Sequence, residues 1–89
     1  MHEMGIAGSI LDAVAKEMER YPGHRAVKVG VRIGEFAGVD SESLRFCFDA
    51  VVKGSPVAPL ELAIERMAGE ELDLGALELE EISSDASTA

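Results

Sequence analysis

Met1, His2 and Glu3 bring an amine, an imidazole and a carboxylate together at the start of the chain. A free amine at Met1, the deprotonated amide nitrogen of His2 and the His2 imidazole can close small chelate rings around one metal ion. Glu3 can add its carboxylate, or its amide nitrogen can serve instead. A nitrogen-rich planar donor set of this kind suits Ni(II) or Cu(II). An amide nitrogen binds a metal only after losing its proton, so such a site weakens on acidification. The competing reading is a loose chain end that binds nothing.

The other chemistry-bearing residues point elsewhere. His24 follows Tyr21-Pro22-Gly23 and is expected on a loop, where an imidazolium favours the end of the preceding helix. Cys47 falls on an apolar helical stripe and reads as a small core residue. Glu35 and Asp40 flank Gly38 as a candidate acid pair, but Asp40 has a sufficient role as a helix cap. There is no Ser–His–Asp arrangement and no phosphate-binding GxxxxGK[ST] loop. An acid–base enzyme therefore has little support, and no catalytic residue is assigned. A single cysteine excludes an internal disulfide, and no CxxC pair is present.

The elements that position these residues are written in the periodicity. Residues 4–20 are predicted helical, with Ala7, Ile10, Leu11, Val14, Ala15 and Met18 on one face, and Pro22 and Gly23 stop the helix. Residues 26–36 alternate as a strand, Val27, Val29, Val31 and Ile33 facing one way. Asp40 caps a second helix over 41–53, whose stripe is Leu44, Cys47, Phe48 and Val51 and whose end is marked by Gly54 and Pro56. Two further strands are predicted at 60–67 and 71–82. In the second, the alternation slips by one residue at Gly75–Ala76, the mark of a β-bulge.

The expected fold class is α/β, two helices packed on a small three-stranded mixed β-sheet in the order α-β-α-β-β. The first strand, second helix and second strand suit a right-handed crossover. The last two strands suit a hairpin about Gly69, and both helices can cover one apolar sheet face. Residues 1–82 make a single α/β domain and 83–89 a flexible polar tail. The short connection near Gly69 also favours self-association by domain swapping.

Composition narrows the partners. The 89 residues suffice for one domain, and 47% of them are hydrophobic, too many for a disordered chain. Seventeen acidic residues face 8 basic ones, a formal charge of -9 that repels phosphate backbones and anionic membranes. No nucleic acid and no membrane is expected as a partner. Neither a bilayer-length apolar run nor a secretory leader is visible, so a cytoplasmic location is expected.

Three stretches carry a resemblance: "MHEMGIAGSILDAV", "VRIGEFAGVDSESLRFCFDAVVKGSP" and "GEELDLGALELEEI". Together, the opening "MHE" and the pattern IGxxxGVDxESLxFxF resemble the HypA/HybF family, the nickel-insertion accessory proteins of nickel–iron hydrogenase maturation. The resemblance runs in order along nearly the whole chain. It implies a metallochaperone and not an enzyme, binding Ni(II) weakly and transiently through Met1, His2 and Glu3. It also implies partners: a nickel-linked GTPase accessory protein, the hydrogenase large-subunit precursor and, for some members, urease maturation proteins.

One departure is large. The family carries a zinc-binding segment with two CxxC pairs between its last two strands. Here "LELAIERM" reaches "EELDLG" through Ala68 and Gly69 alone, and all four cysteines are missing. A short turn near 68–69 thus replaces that segment, whether by excision or by natural loss, and no structural zinc is expected. The rival reading is a protein-interaction or structural module with little or no metal function.

Overall fold

The structure, a computed structural model, describes residues 2–82; Met1 and the proposed tail at 83–89 lie outside the described residues. Its elements are α1 (Glu3–Met18), β1 (His24–Gly34), α2 (Ser41–Lys53), β2 (Glu61–Met67) and β3 (Leu72–Glu81). Two helices and a three-stranded mixed sheet follow one another in the expected order.

α1 buries Ala7, Ile10 and Val14, with Leu11 and Met18 packed partly against the core. Ala15, expected on that face, is exposed. The apolar stripe is narrower than the periodicity suggested because α1 lies beside α2 and meets the sheet mainly at β1. The helix also ends earlier than expected. Glu19 donates to the Lys16 carbonyl and Arg20 to that of Glu17, so the last turn tightens before Pro22 is reached. Gly8 lies within α1, and a Cβ built there meets nothing within 4 Å. Gly8→Ala should therefore raise stability by roughly 1 kcal/mol, lifting Tm by about 4–8 °C, as thermal denaturation followed by circular dichroism would show.

Asp40 caps α2 as expected: its Oδ1 accepts from the amides of Glu42 at 3.0 Å and Ser43 at 3.2 Å. Leu44, Phe48 and Val52 are the fully buried row of α2, with Cys47 and Val51 half-buried beside them. These side chains meet Ala26, Val29, Val31 and Ile33 of β1 and Leu62 of β2 in one core cluster.

The strand order is β2-β1-β3. β1 runs parallel to β2 and antiparallel to β3. The expected hairpin of the last two strands does not form, because β1 lies between them. Charge explains the choice. β2 carries Glu61 and Glu65, and β3 carries Asp73, Glu78, Glu80 and Glu81, so direct pairing would crowd acids against acids. With β1 central, Lys28 is opposite both Glu61 and Glu78, and Arg32 is opposite both Glu65 and Asp73. Arg25 pairs with Glu80 at 2.9 Å.

Two register shifts interrupt the β1–β3 ladder. Between Val29↔Leu77 and Val31↔Leu74, β3 holds one extra residue at Gly75–Ala76, the bulge that the slipped alternation marks. Between Ala26↔Leu79 and Lys28↔Glu78 the extra residue is Val27 on β1. That second bulge breaks the alternation expected through Val27: Ala26 enters the core instead, and Val27 is only half-buried.

Candidate metal centre

His2 occupies the N-cap position of α1, with φ -87° and ψ 88°, and its side chain caps nothing. The ring is exposed. The His2 carbonyl accepts the first helical bond, from the Ile6 amide at 3.0 Å. The first amides of a helix have no acceptor within it, and those of His2 and Glu3 are among them. Both nitrogens therefore stand outside the helical ladder, where deprotonation and metal binding cost no helical hydrogen bond.

Glu3 opens α1, and its Oε2 accepts from the Asp40 backbone amide at 2.9 Å. Asp40 is the residue whose side chain caps α2, so this one contact ties the heads of the two helices together. The Asp40 amide holds the Glu3 carboxyl below the usual carboxylate range. Its own backbone amide adds to the effect, and the Asp40 charge opposes it. A carboxyl lowered on folding favours the folded state above its ordinary titration range, and that contribution is lost as pH falls through the lower, folded value.

With one oxygen committed to Asp40, Glu3 fixes the head of α1 next to His2. Glu3→Gln keeps an oxygen that can accept the Asp40 amide, whereas Glu3→Ala does not. Glu3→Ala should therefore lower Tm more than Glu3→Gln. Neither should weaken nickel binding by more than about tenfold, the low end of what supporting partners of a ligand supply. Calorimetric titration beside thermal denaturation separates the two effects.

The other candidates disperse. His24 is the first residue of β1 rather than part of a loop, its Nδ1 3.2 Å from the Pro22 carbonyl and its ring edge-on to Tyr21. β3 extends far enough to pair Glu81 with His24 and so draws the residue into the sheet. His2 and His24 lie beyond opposite ends of a 16-residue helix, about 24 Å in length. Cys47 packs half-buried against the core, in keeping with its expected role. Asp40 is the cap and Glu35 is exposed, its amide bonded to the Met67 carbonyl. Among the described residues, no three His, Cys, Asp or Glu side chains converge on a common metal position.

Two features escaped the sequence reading. The Glu3–Asp40 contact joins residues 37 apart, and no local pattern announces it. The second is an open groove of about 610 Å³ between the head of α1 and β3, with His2, Gly5, Ile6 and Ser9 on one wall and Leu72 and Leu74 on the other.

An exposed imidazole at a helix head, next to a carboxylate that ties that head to α2 and beside an open groove, describes a small α/β domain with one exposed candidate site. Comparison with known proteins gives the family. Residues 1–72 match the model described as hydrogenase/urease nickel incorporation, metallochaperone, HypA, and the chain belongs to that family. This is a family of maturation factors, not of enzymes.

Among its relatives, the hydrogenase maturation factor HypA of Chlorobium phaeobacteroides is 45% identical over 64 residues, covering 72% of this chain and 57% of that protein. The HypA of Chlorobium limicola is 46% identical over 68 residues, covering 76% and 59%. The HypA of Methanopyrus kandleri is 40% identical over 68 residues, covering 74% and 48%. The chain thus spans about half to three fifths of the length of these curated relatives. The fold is that of the solution structure of the Ni metallochaperone HypA from Helicobacter pylori, with a TM-score of 0.69 at 19% identity, over 85% of this chain and 72% of that one.

Proposed function

We propose that the chain is a nickel-carrying domain that supplies Ni(II) for hydrogenase maturation. The ion is held by the Met1 amine, the His2 amide nitrogen and the His2 imidazole, with Glu3 bracing the site. The observation that carries the reading is the position of His2, an exposed N-cap whose amide lies outside the helical ladder. Family membership supplies the metal. Binding is weak enough for transfer, because the ligands sit at an open helix head. The recipients are the hydrogenase large-subunit precursor and, as a second outlet, urease maturation proteins, with a nickel-linked GTPase as the accessory partner.

The test is nickel titration of protein with a free Met1 amine against protein acetylated there or extended by one residue. Equal affinity in all three would overturn the terminal chelate. If nickel fails to bind at all, the interaction-module reading takes its place.

We propose further that residues 1–82 work as one nickel-binding domain without structural zinc. Structural zinc sites almost always use four protein ligands, and this chain has one cysteine and two histidines, the latter beyond opposite ends of α1. Purified protein should hold no stoichiometric zinc by elemental analysis. Its circular dichroism should be unchanged by a strong chelator.

A further inference from the structure

We propose that the groove between α1 and β3 receives an amphipathic helix from a partner protein, apolar on one face and flanked by Lys or Arg. α1 packs on α2 and β1, and α2 packs on β2, while β3 is the strand on which neither helix rests substantially. The consequence is visible in its side chains. Leu72, Leu77 and Leu79 are only half-buried and Leu74 is 42% exposed, whereas their β1 partners Ile33, Val29, Ala26 and Val31 are all 2% exposed or less.

The groove continues past its first stretch. A second stretch of about 330 Å³ is lined by Ala13, Glu17 and Leu77 and shares Leu74 with the first. Together they follow α1 from His2 to Glu17, a span of about 22 Å, or four helical turns.

Shape and charge select the occupant. Gly5, Ser9 and Ala13 recur every fourth residue along the α1 wall, leaving a shallow channel of the kind that accepts the ridge of a second helix. An extended segment fits less well, since the Gly75–Ala76 bulge breaks the regular ladder of β3 that strand addition would continue. No Lys or Arg lines either stretch among the described residues, and Glu17 does. After Arg66 every charged side chain is acidic. A second copy of this chain would bring another -9 against the same rim, so a basic partner is favoured over self-association. The docked helix would lie beside His2; only that consequence rests on the nickel reading, and the docking itself does not.

The probe is a synthetic amphipathic Leu/Lys helix of about five turns, followed through the amide chemical shifts of the labelled protein. Shift changes confined to the facing residues of α1 and β3 are expected, with affinity at least tenfold lower for Ser9→Arg and for Leu74→Asp. Both residues are exposed, so the fold should survive, and the amide spectrum of each variant checks it. Acetylating the Met1 amine should leave peptide binding intact while nickel binding is lost, which keeps failure of the metal reading separate from failure of this one. The proposal is overturned by equal binding of a scrambled peptide of the same composition or of a Leu/Glu helix. Shifts centred on the exposed Phe36 and Phe46 would overturn it too, as would dimerisation through these amides without peptide.

Discussion

Replacing His2 with alanine should remove nickel binding and leave the fold unchanged. The substitution takes away the imidazole at the head of α1, while the amine and amides remain. Losing a ligand should cost more than the roughly 10–100-fold typical of losing a supporting partner, so affinity should fall by over a hundredfold. The fold has little stake in the ring: His2 is exposed, makes no side-chain cap, and contributes its carbonyl to Ile6, which alanine supplies equally well. Thermal denaturation should therefore shift by no more than a few degrees.

Proton release supplies an independent readout. Binding through a backbone amide expels its proton, so protons compete with the metal for the site. Nickel affinity should thus fall steeply on acidification, and the heat of binding should depend on the ionisation enthalpy of the buffer. Unchanged affinity in His2→Ala would place the metal elsewhere.

Local physics was the legible part of this chain. The cap at Asp40 and the bulge at Gly75–Ala76 each follow from a few adjacent residues, and both appear as read. The helix and strand periods located all five elements to within about two residues. What failed was pairing. The hairpin about Gly69 was inferred from two consecutive strands and a short turn, a local argument applied to a non-local choice. The deciding signal was nonetheless present: Lys28 and Arg32 alternate on β1, and acids stand at matching spacing on both later strands. Reading those charges as cross-strand pairs would have placed β1 at the centre. Val27 is different, since nothing in "AVKVGV" marks the bulge, which shows only in the pairing with β3. The site divides in the same way. The sequence offered His2 as a candidate donor from its type and position, whereas the contact from Glu3 to Asp40 depends on how the helix heads meet.

The connection that replaced the expected hairpin carries the second large prediction, the loss of stability in Gly34→Ala. From β2 the chain must cross the end of β1 to reach β3, and residues 68–71 form the strap that does so. The Gly34 amide donates to the Glu71 carbonyl at 2.7 Å, that of Glu35 to Met67 at 2.8 Å, and that of Phe36 to Gly69 at 2.9 Å. Gly69 turns the strap with φ +109°, a conformation that favours glycine. A Cβ on Gly34 would overlap the Gly69 carbonyl and stand 2.8 Å from the Glu70 nitrogen. These are backbone atoms, held by the same three hydrogen bonds, so no side-chain rotation relieves the clash.

Overpacking a fixed position costs about 1–3 kcal/mol and sometimes more, and Gly34 belongs at the upper end. Against a total of about 4–13 kcal/mol for a domain of this size, Gly34→Ala should lower Tm by at least about 10 °C or prevent folding. Inserting two glycines between Ala68 and Gly69 lets the strap rise. The alanine should then cost clearly less, a coupling that a double-mutant cycle by urea denaturation measures. An undiminished cost in the lengthened strap would show that Gly34 is required for some reason other than the crossing above it.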